Sequence, residues 1–272
     1  MKIALCFSGH MRDLDETKNF WKDFIKKYDV DVYASFWDIE NEELGDTIKN
    51  FQKVYTPKKL EVENYDVFKE TTQDIASLYV KPPTELEGAF IDASKKFNQL
   101  PMYYKIWKCN MLTKELGIKY DVVIRARIDI VLDENFDIVS NKSLNIPMGT
   151  NMVTRFNNSD GINDCFAYGT PKIMDYYAFI YLQLMEYLSK GHYMFPPEHL
   201  LAVHFSKVNI PIRFFPNYMM ITRVSKNQPH EIYNKFVKEP MEYTMYASEF
   251  INKEPDIRYT FRKNNIKDDF IV

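Results

Sequence analysis

Two hydrophobic periods alternate along the first half of the chain. Ile3 to Phe7 is a continuous apolar run, which predicts a strand buried on both faces and therefore central and parallel. Ser8-Gly9-His10 is expected to break it in a tight turn, with Gly9 letting backbone approach a ligand closely. From Leu14 to Lys27 the apolar residues recur at helical spacing and turn Phe20, Trp21, Phe24 and Ile25 toward the core. Val30 to Phe36 reads as a second strand, ended by Trp37-Asp38, so the opening is a βαβ unit with two strand ends side by side. Phe51 to Tyr55 is expected to be a short third strand, and Tyr79 to Phe97, with Lys81-Pro82-Pro83, a mobile excursion over the surface. Met102 to Leu116 reads as a helix started by Pro101 and stopped at Gly117. Val122 to Ile124 is a β-branched buried strand, and Leu144 to Pro147 reads as an edge strand. After the turn-rich stretch Asn157 to Asp164 come a strand and its stop over Cys165 to Thr170, then a long helix from Pro171 to Ser189. Pro196-Pro197-Glu198-His199 initiates a helix through Leu200 to Phe205, and a strand covers Ile210 to Phe215. The last forty or so residues are polar with scattered aromatics and carry no functional pattern.

The buried strand at Val122 is followed by Arg125, Arg127 and Asp129, charges at every second position and so on one face of an extended segment. Two guanidinium groups and a carboxylate at the end of a buried strand are costly unless something binds there or they bind each other. Arg suits phosphate oxygens, and Asp suits a hard divalent cation or a sugar hydroxyl. A structural ion pair, with Asp129 held between the two arginines, remains open beside the ligand site.

Composition narrows the classes. A chain of 272 residues suits one large or two small domains, and with 46% hydrophobic and 27% charged residues it can bury a full core. Its 19 Tyr and 20 Phe fit an aromatic core, and also a site that is apolar yet able to hydrogen-bond, as sugar recognition requires. The net charge of −3, with no basic block, argues against nucleic acid as a partner. Cys6, Cys109 and Cys165 have neither metal-ligand spacing nor a disulfide pattern, which fits a reducing compartment. No apolar run approaches membrane-spanning length, and a soluble, cytoplasmic protein is expected. Both the P-loop and the dinucleotide fingerprint are missing, so a nucleotide here would be held by side chains and single amides.

Five segments, in order, carry a resemblance: Ala4 to Arg12, Val30 to Asp38, Met102 to Ile106 with Tyr120 to Asp129, Gly161 to Gly169, and Pro197 to Leu201. Together they resemble GT-A-fold glycosyltransferases, in particular the bacterial and viral type of glycan biosynthesis. The resemblance implies an α/β, GT-A-like (Rossmann-like) fold, a mixed, mainly parallel sheet flanked by helices. It implies a single domain over 1–272, with a nucleotide-sugar-binding half at 1–132, an acceptor half at 133–225 and a C-terminal extension at 226–272. The implied reaction moves a sugar from a nucleotide diphosphate sugar to a glycan or other hydroxyl acceptor. A non-catalytic carbohydrate- or nucleotide-binding module and a nucleotidyltransferase are the alternatives.

The resembled family usually carries Asp-x-Asp at this strand end, where it binds a divalent metal, Mn or Mg, and through it the diphosphate. Here the triplet is Arg127-Ile128-Asp129, so the guanidinium can neutralise diphosphate directly while Asp129 remains the candidate metal ligand. Ser8, Gly9 and Arg12 are expected at the nucleotide, with Trp37 available to stack on a base and Asp38 beside it. Lys105, Arg125 and Arg127 complete the donor-binding set, although a solvated helix lysine is the plainer reading of Lys105. Asp164 is the first candidate base toward the acceptor and Glu198 the second, while Asp160 reads as a turn residue. Glu198 also suits a helix start on electrostatic grounds, and His199 reads as a structural histidine rather than a metal ligand.

Overall fold

The computed structural model describes residues 1–12, 14–38, 42–77, 99–133, 136–147, 161–189, 197–215, 219–222 and 243–247. In chain order the elements are β1 (Lys2–His10), α1 (Leu14–Lys27), β2 (Asp29–Asp38), α2 (Glu42–Tyr55), β3 (Lys59–Asn64), α3 (Tyr65–Thr71) and α4 (Gln73–Ser77). There follow α5 (Gln99–Leu112), β4 (Val122–Ala126), β5 (Ile130–Leu132), β6 (Leu144–Pro147), β7 (Phe166–Gly169), α6 (Pro171–Ser189), α7 (Pro197–Phe205), β8 (Pro211–Phe215), β9 (Met219–Ile221) and β10 (Tyr243–Tyr246).

Eight strands form one sheet in the order β10-β8-β6-β7-β4-β1-β2-β3, and β5 pairs with β9 in a small second sheet. The pairs β1–β2, β1–β4, β2–β3 and β6–β8 are parallel, whereas β7 runs antiparallel to both β4 and β6, and β10 antiparallel to β8. The fold is therefore α/β, with a mixed, mainly parallel sheet between helices. Alternation along β1 decides which helix covers which face. Ile3, Leu5 and Phe7 join Trp21 and Phe24 of α1 in one core, while Ala4 and Cys6 join Leu100, Tyr103 and Ile106 of α5 in the other. Both cores are dense in aromatic edges, such as Phe7 on Trp21 at 5.0 Å.

Three expectations are corrected. Phe51 to Tyr55 is the last turn and a half of α2, and the third strand is Lys59–Asn64. Phe51 and Tyr55 lie four apart on one helix face and are both buried, so helical burial outcompeted the local strand pattern. Leu144–Pro147 is not an edge strand: it is wholly buried and paired on both sides, with β7 and β8. The first strand does not break at Ser8 but continues through Gly9, at φ 115°, to His10. The expected excursion over Tyr79 to Phe97 lies outside the described residues.

Candidate functional site

From β1 the chain winds outward through β2 to β3, then returns to place β4 on the other side of β1. The strand order reverses between β1 and β4, and in an open α/β sheet ligands bind beyond the carboxyl ends of strands at such a reversal. β1 ends in Ser8, Gly9 and His10; beyond β4 lie Arg127, Ile128 and Asp129. A Cβ added to Gly9 would meet nothing within 4 Å, so this backbone faces open space. Ser8 Oγ is buried and has no hydrogen-bond partner.

The turn after β4 is fixed from two sides. Thr17 Oγ1 of α1 donates to Ile128 O at 2.7 Å, and Trp21 Nε1 donates to Ile130 O at 3.0 Å. The backbone N–H of Thr222 donates to Asp129 O at 2.9 Å. The turn also breaks the expected shared face: the strand ends at Ala126, and the side chains of Arg127 and Asp129 fold onto each other. Arg127 Nε donates to Asp129 Oδ1 at 2.8 Å and Nη2 to Oδ2 at 2.5 Å, a two-pronged charge-assisted pair. Asp129 is buried, whereas the Arg127 side chain keeps 19% of its surface exposed. Burial works against the Arg127 charge, but Cys165, Asp129 and Asp164 around it more than offset this and hold its pKa above the ordinary value. Arg125 does not reach Asp129. It is buried on the α5 face, where Nη1 donates to Cys165 O at 3.4 Å and Nε has no partner.

Asp164 and Glu198 arrive from the other half of the chain. Asn163 Oδ1 accepts from the amides of Cys165 at 2.7 Å and Phe166 at 2.9 Å, an Asx turn that aims Asp164 back toward β4. Tyr177 of α6 donates its hydroxyl to Asn163 O at 2.8 Å and braces the turn from beneath. Cys165 Sγ donates to Asp164 Oδ1 at 3.2 Å and itself accepts from Arg127 Nη1 at 3.6 Å, so Arg127 and Asp164 bracket one thiol. Burial, then Asp164, pushes the Cys165 thiol up, which keeps it neutral. Glu198 is drawn in by a close backbone contact: Ile162 N donates to Glu198 O at 2.9 Å, and a Cβ on Gly161 would lie 2.6 Å from Glu198 Cβ. Asp164 and Glu198 are both buried, and the charges of Arg125, Asp164 and Glu198 all act on the Tyr177 hydroxyl, whose pKa burial raises.

Five of the expected residues, Arg125, Arg127, Asp129, Asp164 and Glu198, thus gather around the carboxyl end of β4. Ser8 and Gly9 lie at the end of the adjoining strand β1, and the remaining expected residues do not join them. Trp37 is 1% exposed, stacked on Tyr104 at 5.6 Å and packed on Phe68 at 4.7 Å, so it has no open face for a base. Lys105 is fully buried, against the solvated reading: its Nζ lies 2.6 Å from Glu63 Oε2 and 4.1 Å from the Trp37 ring centre. Asp38 is half-buried at the end of β2, and Arg12 is exposed just past β1, where its charge acts on Tyr65. Asp160 and the side chain of His199 lie outside what is described.

The donor set does not fit a divalent metal at Asp129. Both of its oxygens are taken by the Arg127 fork, and no group of three His, Cys, Asp or Glu side chains able to hold a metal occurs among the described residues. Asn163, Cys165 and Tyr177 were not expected at the site. Asn163 stood in the turn-rich stretch, which was a usable signal, but nothing local marks one tyrosine of a long helix. No protein-family model matches the chain, and no curated protein matches it at a significant level.

Proposed function

We propose that this chain is a glycosyltransferase on a GT-A-like fold, moving a sugar from a nucleoside diphosphate donor to a hydroxyl acceptor. One observation carries the reading: at the strand-order reversal, with open space over Gly9 at the end of β1, Arg127 beyond β4 feels Asp164, and Arg125 and Glu198 are gathered with Asp164 around Tyr177. The acceptor oxygen attacks the anomeric carbon as the bond from that carbon to the diphosphate breaks. The electron pair leaves with the diphosphate, and the exposed edge of Arg127 meets the charge that develops there. The acceptor proton goes to a carboxylate, Asp164 first and Glu198 second. Asp129 in this reading aims Arg127 and does not ligate a metal.

Arg127→Ala should weaken binding of a nucleoside diphosphate more than that of the free nucleoside, read by calorimetry with circular dichroism as the folding control. Equal losses for both ligands would remove Arg127 from the phosphate site. Product analysis tests the reaction: a nucleoside diphosphate released from a nucleotide sugar supports transfer, pyrophosphate points to a nucleotidyltransferase, and no turnover with retained binding points to a binding module. Excess chelator should leave turnover unchanged; loss of turnover restored by manganese would return a metal to the site.

A further inference from the structure

At the other end of the central strands lies a feature the transfer reaction does not use. β7 runs antiparallel to β4, with Gly169 opposite Val123, so the chain after β7 emerges at the amino edge of the sheet. There a groove of about 630 Å3 opens along α6, lined by Lys142, Lys172, Ile173, Tyr176, Phe179 and Ile210 among others. That volume lies within the range of about 300 to 1,000 Å3 typical of ligand sites.

The groove continues onto an uncovered apolar face. Phe179, Leu182 and Met185 are 41%, 49% and 44% exposed, and their spacing of three puts them on one side of α6. The opposite side of the same helix is the core-facing one, with Ile173, Tyr177, Ile180 and Leu184 buried. A helix apolar on both sides, in a chain this charged, is expected to have its outer face covered by something.

Charge says what covers it. Lys142 and Lys172 form no ion pair among the described residues. Asp175, the acid that lines the groove, is already held by Lys114 at 2.7 Å and by Asn110 Nδ2 at 2.8 Å. The mouth is thus cationic on a protein whose net charge is −3. Unpaired lysines beside exposed Phe, Leu and Met match an anionic headgroup with an acyl region beneath it.

We propose that the α6 face docks on bilayers containing anionic phospholipid, with headgroup phosphate on Lys142 and Lys172 and the apolar stripe in the interface. No helix among the described residues is long and apolar enough to cross a membrane, so the attachment is peripheral. The proposal does not rest on the transfer reaction, and either can fail alone.

Co-sedimentation of the full chain with vesicles tests it. Vesicles of phosphatidylcholine mixed with phosphatidylglycerol should pull the protein down, and vesicles of phosphatidylcholine alone should not. A surface lysine is worth about fivefold in partitioning to an anionic membrane, so Lys142→Gln with Lys172→Gln should weaken binding roughly thirtyfold. Phe179→Ser with Leu182→Ser should also release the protein while it stays folded by circular dichroism, since both side chains are about half exposed. Equal binding to both vesicle types, or double variants that bind like the wild type, would overturn the proposal. So would a concentration-dependent dimer, broken by Phe179→Ser with Leu182→Ser, without vesicle binding; the face would then be a self-interface. Stabilisation by inorganic phosphate without vesicle binding would likewise reduce the groove to a free-anion site and overturn it.

Discussion

Gly161 has no room for a side chain. A methyl placed there would overlap Glu198 Cβ at 2.6 Å, with Glu198 backbone carbon 3.3 Å away, so either the loop or the helix start must shift. Gly161→Ala should cost about 1 to 3 kcal/mol by overpacking, read from denaturant unfolding, and should move Glu198 relative to Asp164. The two carboxylates themselves separate catalysis from architecture. Asp164→Asn keeps most of the local turn bonding, so it should leave the melting temperature nearly unchanged while cutting turnover on the order of a hundredfold or more. Glu198→Gln removes a negative charge from the first turn of α7 and should cost a few tenths to about 1 kcal/mol, with the smaller effect on rate. Turnover at saturating donor decides: a dead but stable Glu198→Gln beside an active Asp164→Asn reverses the roles. These side chains were legible in the sequence because charge at a strand end or helix start is locally unusual. Their partners were not: that Asp129 would be closed by Arg127, and Lys105 by Glu63, depends on contacts between side chains whose final orientation no periodicity encodes.

At the level of elements, the candidate site depends on α1. Two of its side chains, Thr17 and Trp21, hold the carbonyls that flank Asp129, so the helix acts as a brace under the Arg127–Asp129 turn. Thr17→Val keeps the shape but leaves Ile128 O buried without that donor, a loss of about 1 to 3 kcal/mol. If the turn positions Arg127, the same variant should also weaken diphosphate binding while nucleoside binding holds, and calorimetry on both ligands reads the difference. The helices α1, α6 and α7 were legible nearly to the residue, because each combines a long apolar period with a Pro or polar start. The short elements were not. In Lys59–Asn64, Leu60 and Val62 alternate with Glu61 and Glu63, and this half-polar pattern looks like a loop until Lys105 and Lys108 of α5 are placed over the glutamates. The last strand among the described residues, Tyr243–Tyr246, joins the sheet through β8, a long-range pairing that local composition does not announce.

For the whole molecule, pH should act through a histidine further along α7 than Glu198. His204 is buried against Tyr187 and stacked on Tyr176 at 4.1 Å, and burial draws its pKa from 6.5 down to about 4. Between those values the unfolded chain takes up the proton and the folded one does not. Stability is therefore fully present above about pH 6.5 and falls as the pH drops toward 4, by up to about 3 kcal/mol. His204→Gln should flatten melting temperature against pH across that window, whatever its effect at neutral pH; an unchanged slope would assign the loss to carboxylates.

The Trp37 cluster has a practical consequence. Trp37 is sealed from water beneath the carboxyl edge of β2, with the Lys105 ammonium 4.1 Å from its ring and Tyr65, which also packs on His10 of β1, against it. A sealed indole emits at short wavelength, and a nearby positive charge tunes that emission. The molecule carries an optical gauge next to the strand ends where donor is expected. Titrating nucleotides while following tryptophan emission, with Trp37→Phe as the blank, would report occupancy of that edge without label or substrate turnover.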